Sequence, residues 1–353
     1  MIKVDLVAPN LSGKGGTETV LTDVLSSDAI LSEFDFSLVL LDNPKSKNWL
    51  KSISRKILVN IRTKNNRFFW LLSYLIKTRA DIVVVLGPRL AFFSRMIKIA
   101  FRKKYKIVTW IHFSLLHQNI MNSSYVKFAD YHLAISSQMV DQFEKLGVDR
   151  SKIFVIYNPV KKPKKIRDYK RSMKNELYIT YIGRVMLDGQ KNLRLLISSI
   201  KKLSKNYSGK IIIDLWGDGE VTKLKNYIKL MGFDKKVKFN WHGWVENPWN
   251  EIEVIDMLVL TSTFEGFGMV LTEAISRGIP VVATDYPVGA RDIIVPGVNG
   301  ELCEYSEDSI VVAILKISRK KADGEQIKAT MKKFSFDSFE NKFIYSLKEV
   351  ANN

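Results

Sequence analysis

Glu265 and Glu273 stand eight residues apart in the run Ser262-Thr-Phe-Glu265-Gly-Phe-Gly-Met-Val-Leu-Thr-Glu273-Ala. The apolar run before them, Ile255 to Leu260, reads as a buried strand. Met269 to Arg277 reads as a helix closed by Gly278. One carboxylate therefore falls on a strand-to-helix loop, and the other lies one to two turns into the helix. Gly266 and Gly268 let a ligand approach the backbone between them. The free N–H groups of a helix start attract an anion. Phe267, Met269 and Val270 complete the loop and are expected to line it. A carboxylate, an anion site and a second carboxylate suit a nucleoside diphosphate sugar: sugar hydroxyls, then diphosphate, then ribose. Taken singly, either glutamate reads as a solvated residue on a turn.

Other residues could act with them. Gly183-Arg184 ends an apolar run, and Lys191-Asn192 follows seven residues on, before helical spacing from Leu193 to Leu203. Arginine is a planar fork and lysine a point charge for phosphate oxygens. Alone, two cations near a turn read as solvated. Gly217 opens a second glycine turn, Gly217-Asp-Gly-Glu220, and Trp244-Val245 follow His242-Gly243. Near the start, Pro9 to Gly16 joins a strand to a helix. Gly15 and Gly16 there form a phosphate-binding arrangement or, more commonly, a plain turn. His112 ends another strand. A lone histidine is usually structural, but ligands collect at such strand ends. His117 is less clearly placed.

The string from Ser262 through Gly278-Ile-Pro-Val-Val-Ala-Thr284 and Gly289-Ala-Arg-Asp-Ile-Ile294 to Gly300 resembles the E-x7-E signature of retaining GT-B glycosyltransferases of family 4. The likeness covers nearly the whole chain. It is most specific from Gly183 to Gly300 and looser before Asn158. It implies that Arg184 and Lys191 hold the donor diphosphate. It implies that Glu265 binds sugar hydroxyls, Glu273 the ribose, and Gly15, Gly16, Gly183 and Gly217 the sugar nucleotide. The residues after Gly243 would lie against the base, although Trp244 reads equally as core packing. His112 would line the acceptor side. Arg184, Lys191, Glu265 and His112 are thus the candidate catalytic residues. A UDP-sugar is the expected donor, with retention at the anomeric carbon. No cofactor is expected. No metal ligands are assigned, because an Asp-x-Asp motif is missing.

The implied fold is α/β, with two Rossmann-like domains facing across a cleft. Alternating strands and helices independently argue for parallel, doubly wound sheets. Residues 1–159 plus 335–353 are expected to form the acceptor domain. Residues 160–173, rich in lysine and proline, are expected to form a solvated linker, and residues 174–334 the donor domain. Apolar spacing predicts a final helix over Phe334 to Leu347, crossing back onto the first domain.

At 353 residues the chain is long enough for two cores. One cysteine, Cys303, excludes an internal disulfide and suits a reducing compartment. The start lacks the pattern of a signal peptide, and no apolar stretch approaches the ~20 residues that span a bilayer. Lys plus Arg exceed Asp plus Glu by 55 to 36, a net charge of +19. From Lys45 to Lys106 there are 17 basic residues and one acidic residue, Asp81. Such a field attracts phosphates, anionic lipid or nucleic acid, and no nucleic-acid motif accompanies it. The expected setting is cytoplasmic, peripheral on the inner membrane face. The apolar helix Phe68 to Ile76 would insert an edge between headgroups or pack Phe68, Phe69 and Trp70 on the sheet. The expected activity is transfer of galactose, glucose or N-acetylhexosamine to a glycan or lipid-linked acceptor of the bacterial surface. Competing readings are a protein or soluble acceptor, a UDP-sugar epimerase of the same fold, and a non-catalytic sugar-nucleotide binder.

Overall fold

Runs such as Ile82-Val-Val-Val and Val281-Val-Ala-Thr are buried at every position. Only strands covered on both faces bury consecutive side chains, and that is the condition of a parallel sheet flanked by helices. The computed structural model describes residues 1–9, 11, 15–44, 46–54, 57–61, 66–116, 122–160, 169–173, 175–320 and 322–353. It divides into two units, Met1–Pro159 with Phe336–Asn353, and Val160–Ser335.

The first unit carries β1 (Ile2–Ala8), β2 (Phe34–Leu40), β3 (Leu58–Ile61), β4 (Ile82–Val85), β5 (Lys106–Trp110), β6 (Tyr131–Ala134) and β7 (Ile153–Val155). Among the described residues they form one parallel sheet in the order β3-β2-β1-β4-β5-β6-β7. The final helix, Phe336–Asn352, belongs to this unit. It buries Phe339, Phe343, Leu347 and Val350, a stripe at helical spacing. The Phe343 ring meets Trp110 of β5 at 5.3 Å.

The second unit carries β8 (Glu176–Ile182), β9 (Lys210–Trp216), β10 (Val237–Gly243), β11 (Met257–Leu260), β12 (Val281–Thr284) and β13 (Gly300–Cys303). Their order is β10-β9-β8-β11-β12-β13, again parallel. Strand order reverses at β8 and β11, which pair Met257 with Ile179. In open parallel sheets ligands collect at such a reversal, at the carboxyl ends of the strands.

Four sequence expectations need correction. The first concerns β3, which had no signal. It is an edge strand with Leu58 63% exposed, so it lacks the apolar run of a central strand. The second is the helix after Gly268. It ends at Ile275 rather than Arg277, and a turn through Gly278 follows, with its N–H on the Ile275 carbonyl. The third is the end of the expected linker. Residues 161–168 lie outside the described residues, but Lys170 pairs with Val254 and the Tyr169 hydroxyl donates to the Trp249 carbonyl at 2.9 Å. That stretch is bonded to the second unit rather than free of it, with Lys170, Arg171 and Met173 exposed. The fourth is the packing of Phe68 and Phe69. They are 46% and 66% exposed, and Leu71 and Leu75 supply the buried face of helix Arg67–Lys77.

Among the described residues the first unit buries two histidines that stay neutral. His132 lies against the Phe143 ring at 4.6 Å and shares a 2.7 Å hydrogen bond with Thr109. Burial first, and the Lys152 charge second, lower its pKa to about 3. Burial alone does the same for His112. Unfolded, both take up a proton near 6.5. The unfolded chain therefore binds more protons between pH 6.5 and 3, and stability falls as pH drops through that window. Each histidine should cost about 2–3 kcal/mol at pH 4.5 relative to pH 7. His132→Gln should flatten the fall in urea midpoint between pH 7 and pH 4.5. An unchanged slope would contradict this account.

Candidate functional site

The reversal at β8 and β11 brings together two loops that lie far apart in the chain. One leaves β8 through Gly183 and Arg184 and reaches Lys191. The other leaves β11 and holds Glu265. The two are latched directly. The Thr261 hydroxyl donates to the Asn192 carbonyl at 3.0 Å. The Thr263 N–H donates to the Gln190 carbonyl at 2.8 Å, and its hydroxyl to Gly189 at 3.0 Å. The helix Leu193–Asn206 begins behind the first loop. Asn192 starts it in the left-handed region, φ +46°, without a side-chain capping bond. Its role is the turn itself, a conformation asparagine tolerates.

Across this latch, Lys191 Nζ lies 2.6 Å from Glu265 Oε1. The Ser262 hydroxyl donates to the same oxygen at 2.5 Å, and Gln190 Nε2 approaches Oε2 at 3.5 Å. Glu265 is only 8% exposed. The alternative of a solvated glutamate on a turn is thereby removed. Arg184 is exposed, and its carbonyl accepts from the Tyr181 phenol at 2.7 Å. Burial, then the Glu265 charge, push that phenol's pKa well up, so it stays a neutral donor.

The backbone around these residues is tightly spaced. Gly183 donates its N–H to the Trp216 carbonyl at 2.9 Å, and Gly217 donates to Gly243 at 2.7 Å. Gly217 has φ +144°, and a Cβ there would lie 1.8 Å from the Gly183 carbonyl oxygen. Gly268 has φ +98°, and a Cβ there would lie 2.0 Å from the Tyr286 hydroxyl. That hydroxyl donates to the Phe267 carbonyl at 3.0 Å. Phe267 itself turns inward, 2% exposed, with its ring 5.6 Å from Phe334. The ring is core, so of Phe267 only the backbone lies along the loop it was expected to line. Gly266, Met269 and Val270 keep exposed surface there.

Glu273 is held by a residue that sequence reasoning missed. The Trp249 indole N–H donates to its Oε2 at 2.8 Å, and the Arg277 guanidinium lies 4.7 Å over the Trp249 ring. Burial raises the Glu273 pKa; the indole bond and the Arg277 charge act against that rise. Beside β9 and β10, the His242 ring stacks flat on Trp216 at 3.8 Å and bonds Asp214 at 2.9 Å. Trp244 is 52% exposed, so the core-packing alternative fails for it, and Val245 beside it is half-buried.

Gly15, Gly16 and His112 belong to the other unit and are described there alone. Gly15 precedes the helix Gly16–Val24 as its cap, and Gly16 is exposed. His112 follows β5, its ring 4.8 Å from Trp110. Both of its ring nitrogens are buried without a hydrogen-bond partner among the described residues. His117 lies outside the described residues. Among the described residues no group of three or more His, Cys, Asp or Glu is placed to hold a metal ion.

Comparison with known proteins agrees with this architecture. The model described as Glycosyltransferase Family 4 matches residues 3–162, and that of Glycosyl transferases group 1 matches residues 162–334. The chain is similar to the lipopolysaccharide 1,6-galactosyltransferase of Salmonella typhimurium, 32% identical over 316 residues and 85% of each chain. It is also similar to the lipopolysaccharide 1,6-galactosyltransferase of Escherichia coli K12, 31% identical over 327 residues, 89% of this chain and 88% of that one. Among solved structures it is similar to the apo form of the lipopolysaccharide outer core galactosyltransferase WaaB, with TM-score 0.84, 28% identity and 99% of both chains covered. With two parallel doubly wound units and matches along both halves, the chain belongs to the GT-B glycosyltransferases of family 4.

Proposed function

We propose that this enzyme transfers a galactosyl unit from UDP-galactose to a glycan or lipid-linked glycan of the bacterial surface. Transfer proceeds with retention and without a divalent metal. The observation that carries this reading is the Lys191–Glu265 pair, buried and latched at the reversal of the second sheet. The likeness to two lipopolysaccharide 1,6-galactosyltransferases supports galactose over glucose or N-acetylhexosamine.

The hard step is departure of the nucleoside diphosphate, where negative charge grows on the leaving phosphate oxygen. Preorganised cations stabilise such charge most effectively. Arg184 and Lys191 supply them, taking the place a metal clamp would fill. Glu265 accepts sugar hydroxyls, the loop Gly266–Val270 runs along the diphosphate, and Glu273 takes the ribose. The backbone at Trp244 and Val245 reads the base. The acceptor oxygen attacks the anomeric carbon on the face the phosphate leaves. The C–O bond to phosphate breaks as the new C–O bond forms, and the acceptor proton passes to the leaving phosphate. The neutral imidazole of His112 serves the acceptor. The protein works in the cytoplasm, at the inner membrane face.

Lys191→Ala and Glu265→Gln should each lower kcat/KM by about 10²–10³, the scale of one lost transition-state donor. Glu265→Gln keeps an acceptor for Ser262. Glu265→Ala would strand a buried ammonium and cost about 3–5 kcal/mol of stability. Rates within tenfold of wild type would sink the assignment. Transfer from UDP-galactose should survive excess EDTA. A strict Mg²⁺ or Mn²⁺ requirement would overturn the diphosphate site.

Trp249→Phe removes the donor to Glu273 and keeps one aromatic ring beneath Arg277 and beside Tyr169. The donor KM should rise about tenfold with kcat changed less, since a hydrogen bond to a charged group contributes roughly 1.5–3 kcal/mol. Without that bond the Glu273 pKa rises further. The acid limb of kcat/KM for the donor should therefore move to higher pH. Discrimination between the UDP-sugar and its 2′-deoxyribose analogue should narrow. An unmoved acid limb with undiminished ribose discrimination would remove Trp249 from this role.

A further inference from the structure

The two oxygens of Glu265 are unequally used. Oε1 receives the Lys191 ammonium at 2.6 Å and the Ser262 hydroxyl at 2.5 Å. Oε2 meets one group among the described residues, the Gln190 side-chain amide, with Nε2 at 3.5 Å. A charge-assisted N–H···O bond closes to about 2.7–2.9 Å, so this approach is loose. Glu265 is only 8% exposed, and the polar atoms of so buried a side chain ordinarily have close partners. The unused capacity of Oε2 therefore leaves room for a hydroxyl from outside the chain.

Gln190 is held beside that oxygen by its own main chain. Its carbonyl accepts the Thr263 N–H at 2.8 Å, and the Gly189 carbonyl accepts the Thr263 hydroxyl at 3.0 Å. These bonds fix where the half-buried side chain starts, and they leave its amide out of the latch. The amide nitrogen carries two N–H groups, and the loose approach to Oε2 engages at most one. An acceptor and a donor placed side by side match a vicinal diol. One hydroxyl donates to Oε2 while its neighbour on the next ring carbon accepts from Nε2. A phosphate fits poorly, because it would meet the Glu265 charge and bring no hydrogen to Oε2.

We infer that Gln190 determines donor specificity: its amide reads the 4-hydroxyl of the donor hexose while Glu265 Oε2 takes the 3-hydroxyl beside it. This deepens the proposed function and rests on its reading of Glu265 as the carboxylate that binds sugar hydroxyls. In that reading Lys191, on Oε1, belongs with the phosphate at C1. Oε2 and Gln190, on the other oxygen, then take the hydroxyls remote from C1. The 4-hydroxyl is where galactose and glucose differ. Turning it between axial and equatorial moves it off an amide whose starting point is fixed. A polar group left without its partner then penalises the wrong sugar.

The test compares kcat/KM of the full chain for UDP-galactose and for its 4-deoxy analogue. Wild type should prefer UDP-galactose by about a hundredfold or more, as a site built to bond a hydroxyl does. Gln190→Met keeps the length of the side chain and removes both N–H groups. In that variant the preference should collapse to about tenfold or less, while the preference over the 2-deoxy analogue stays as in wild type. Thermal shift with UDP alone should match wild type, which also shows that the variant folds. A wild type indifferent to the 4-hydroxyl, or a methionine variant with the wild-type ratio, would overturn the proposal. A variant that loses its UDP shift would do so too, by making Gln190 a support of the phosphate site. Removing the 4-hydroxyl turns galactose and glucose into the same sugar, so the one analogue also serves if UDP-glucose proves to be the donor. That result would overturn the galactose assigned above, and a ratio that collapses in the methionine variant would still uphold Gln190.

Discussion

A lysine and a glutamate cannot be buried face to face without help. Removing two charges from water costs several kcal/mol per ion, and attraction at short range repays this only where further hydrogen bonds complete the pair. Here the completion is local. Ser262 and Gln190 reach Glu265, and Thr261 and Thr263 bind the loop that presents Lys191. The pair and its latch depend on β8 and β11 being neighbours, because only then do residues 191 and 265 emerge side by side. The sheet order is thus the constraint from which the chemistry of the second unit follows.

A second constraint is closeness of backbone. Gly217 sits against the Gly183 carbonyl, and Gly268 against the Tyr286 hydroxyl, at distances that exclude any side chain. Both contacts lie beside segments read as diphosphate-facing, where a ligand recognised by N–H groups needs bare backbone. Buried tyrosines hold these segments from behind. Tyr181 fixes the Arg184 carbonyl, and Tyr286 fixes that of Phe267. With both phenols kept neutral by burial, each acts as a donor at any pH where the fold persists.

These facts explain what the sequence could reveal. Parallel strands announce themselves by apolar runs, so the strands read before Glu265 and before His112 appear as β11 and β5, with β11 starting two residues later than the run. Glu265, Lys191 and Gly217 were singled out by the family likeness of the segments they stand in, since taken alone each reads as a residue on a turn. Trp249, Tyr181 and Tyr286 were not. An indole or phenol in an apolar stretch looks like core, and its polar tip acquires meaning only from a partner distant in the chain. The inward turn of the Phe267 ring was not legible either, since a residue between two loop glycines can still point into the core. Phe68 and Phe69 failed because apolar content alone cannot say which face of a helix meets the sheet. The edge strand β3 carries no such content.

The two units also differ in how strongly chemistry constrains them. A nucleoside diphosphate is compact and highly charged, and it is gripped through backbone and a few cations. In the reading proposed above, that task falls on the stretch from Gly183 to Glu273, where the family likeness is also most specific. An acceptor glycan is neutral and extended, and it is bound by shape and scattered hydrogen bonds. Nothing in that task imposes a short motif. His112 is the candidate proposed for the acceptor, and what singles it out physically is energetic. Leaving both ring nitrogens buried and unpartnered costs free energy that a purely structural histidine, as His132 shows with Thr109, avoids by finding a bond.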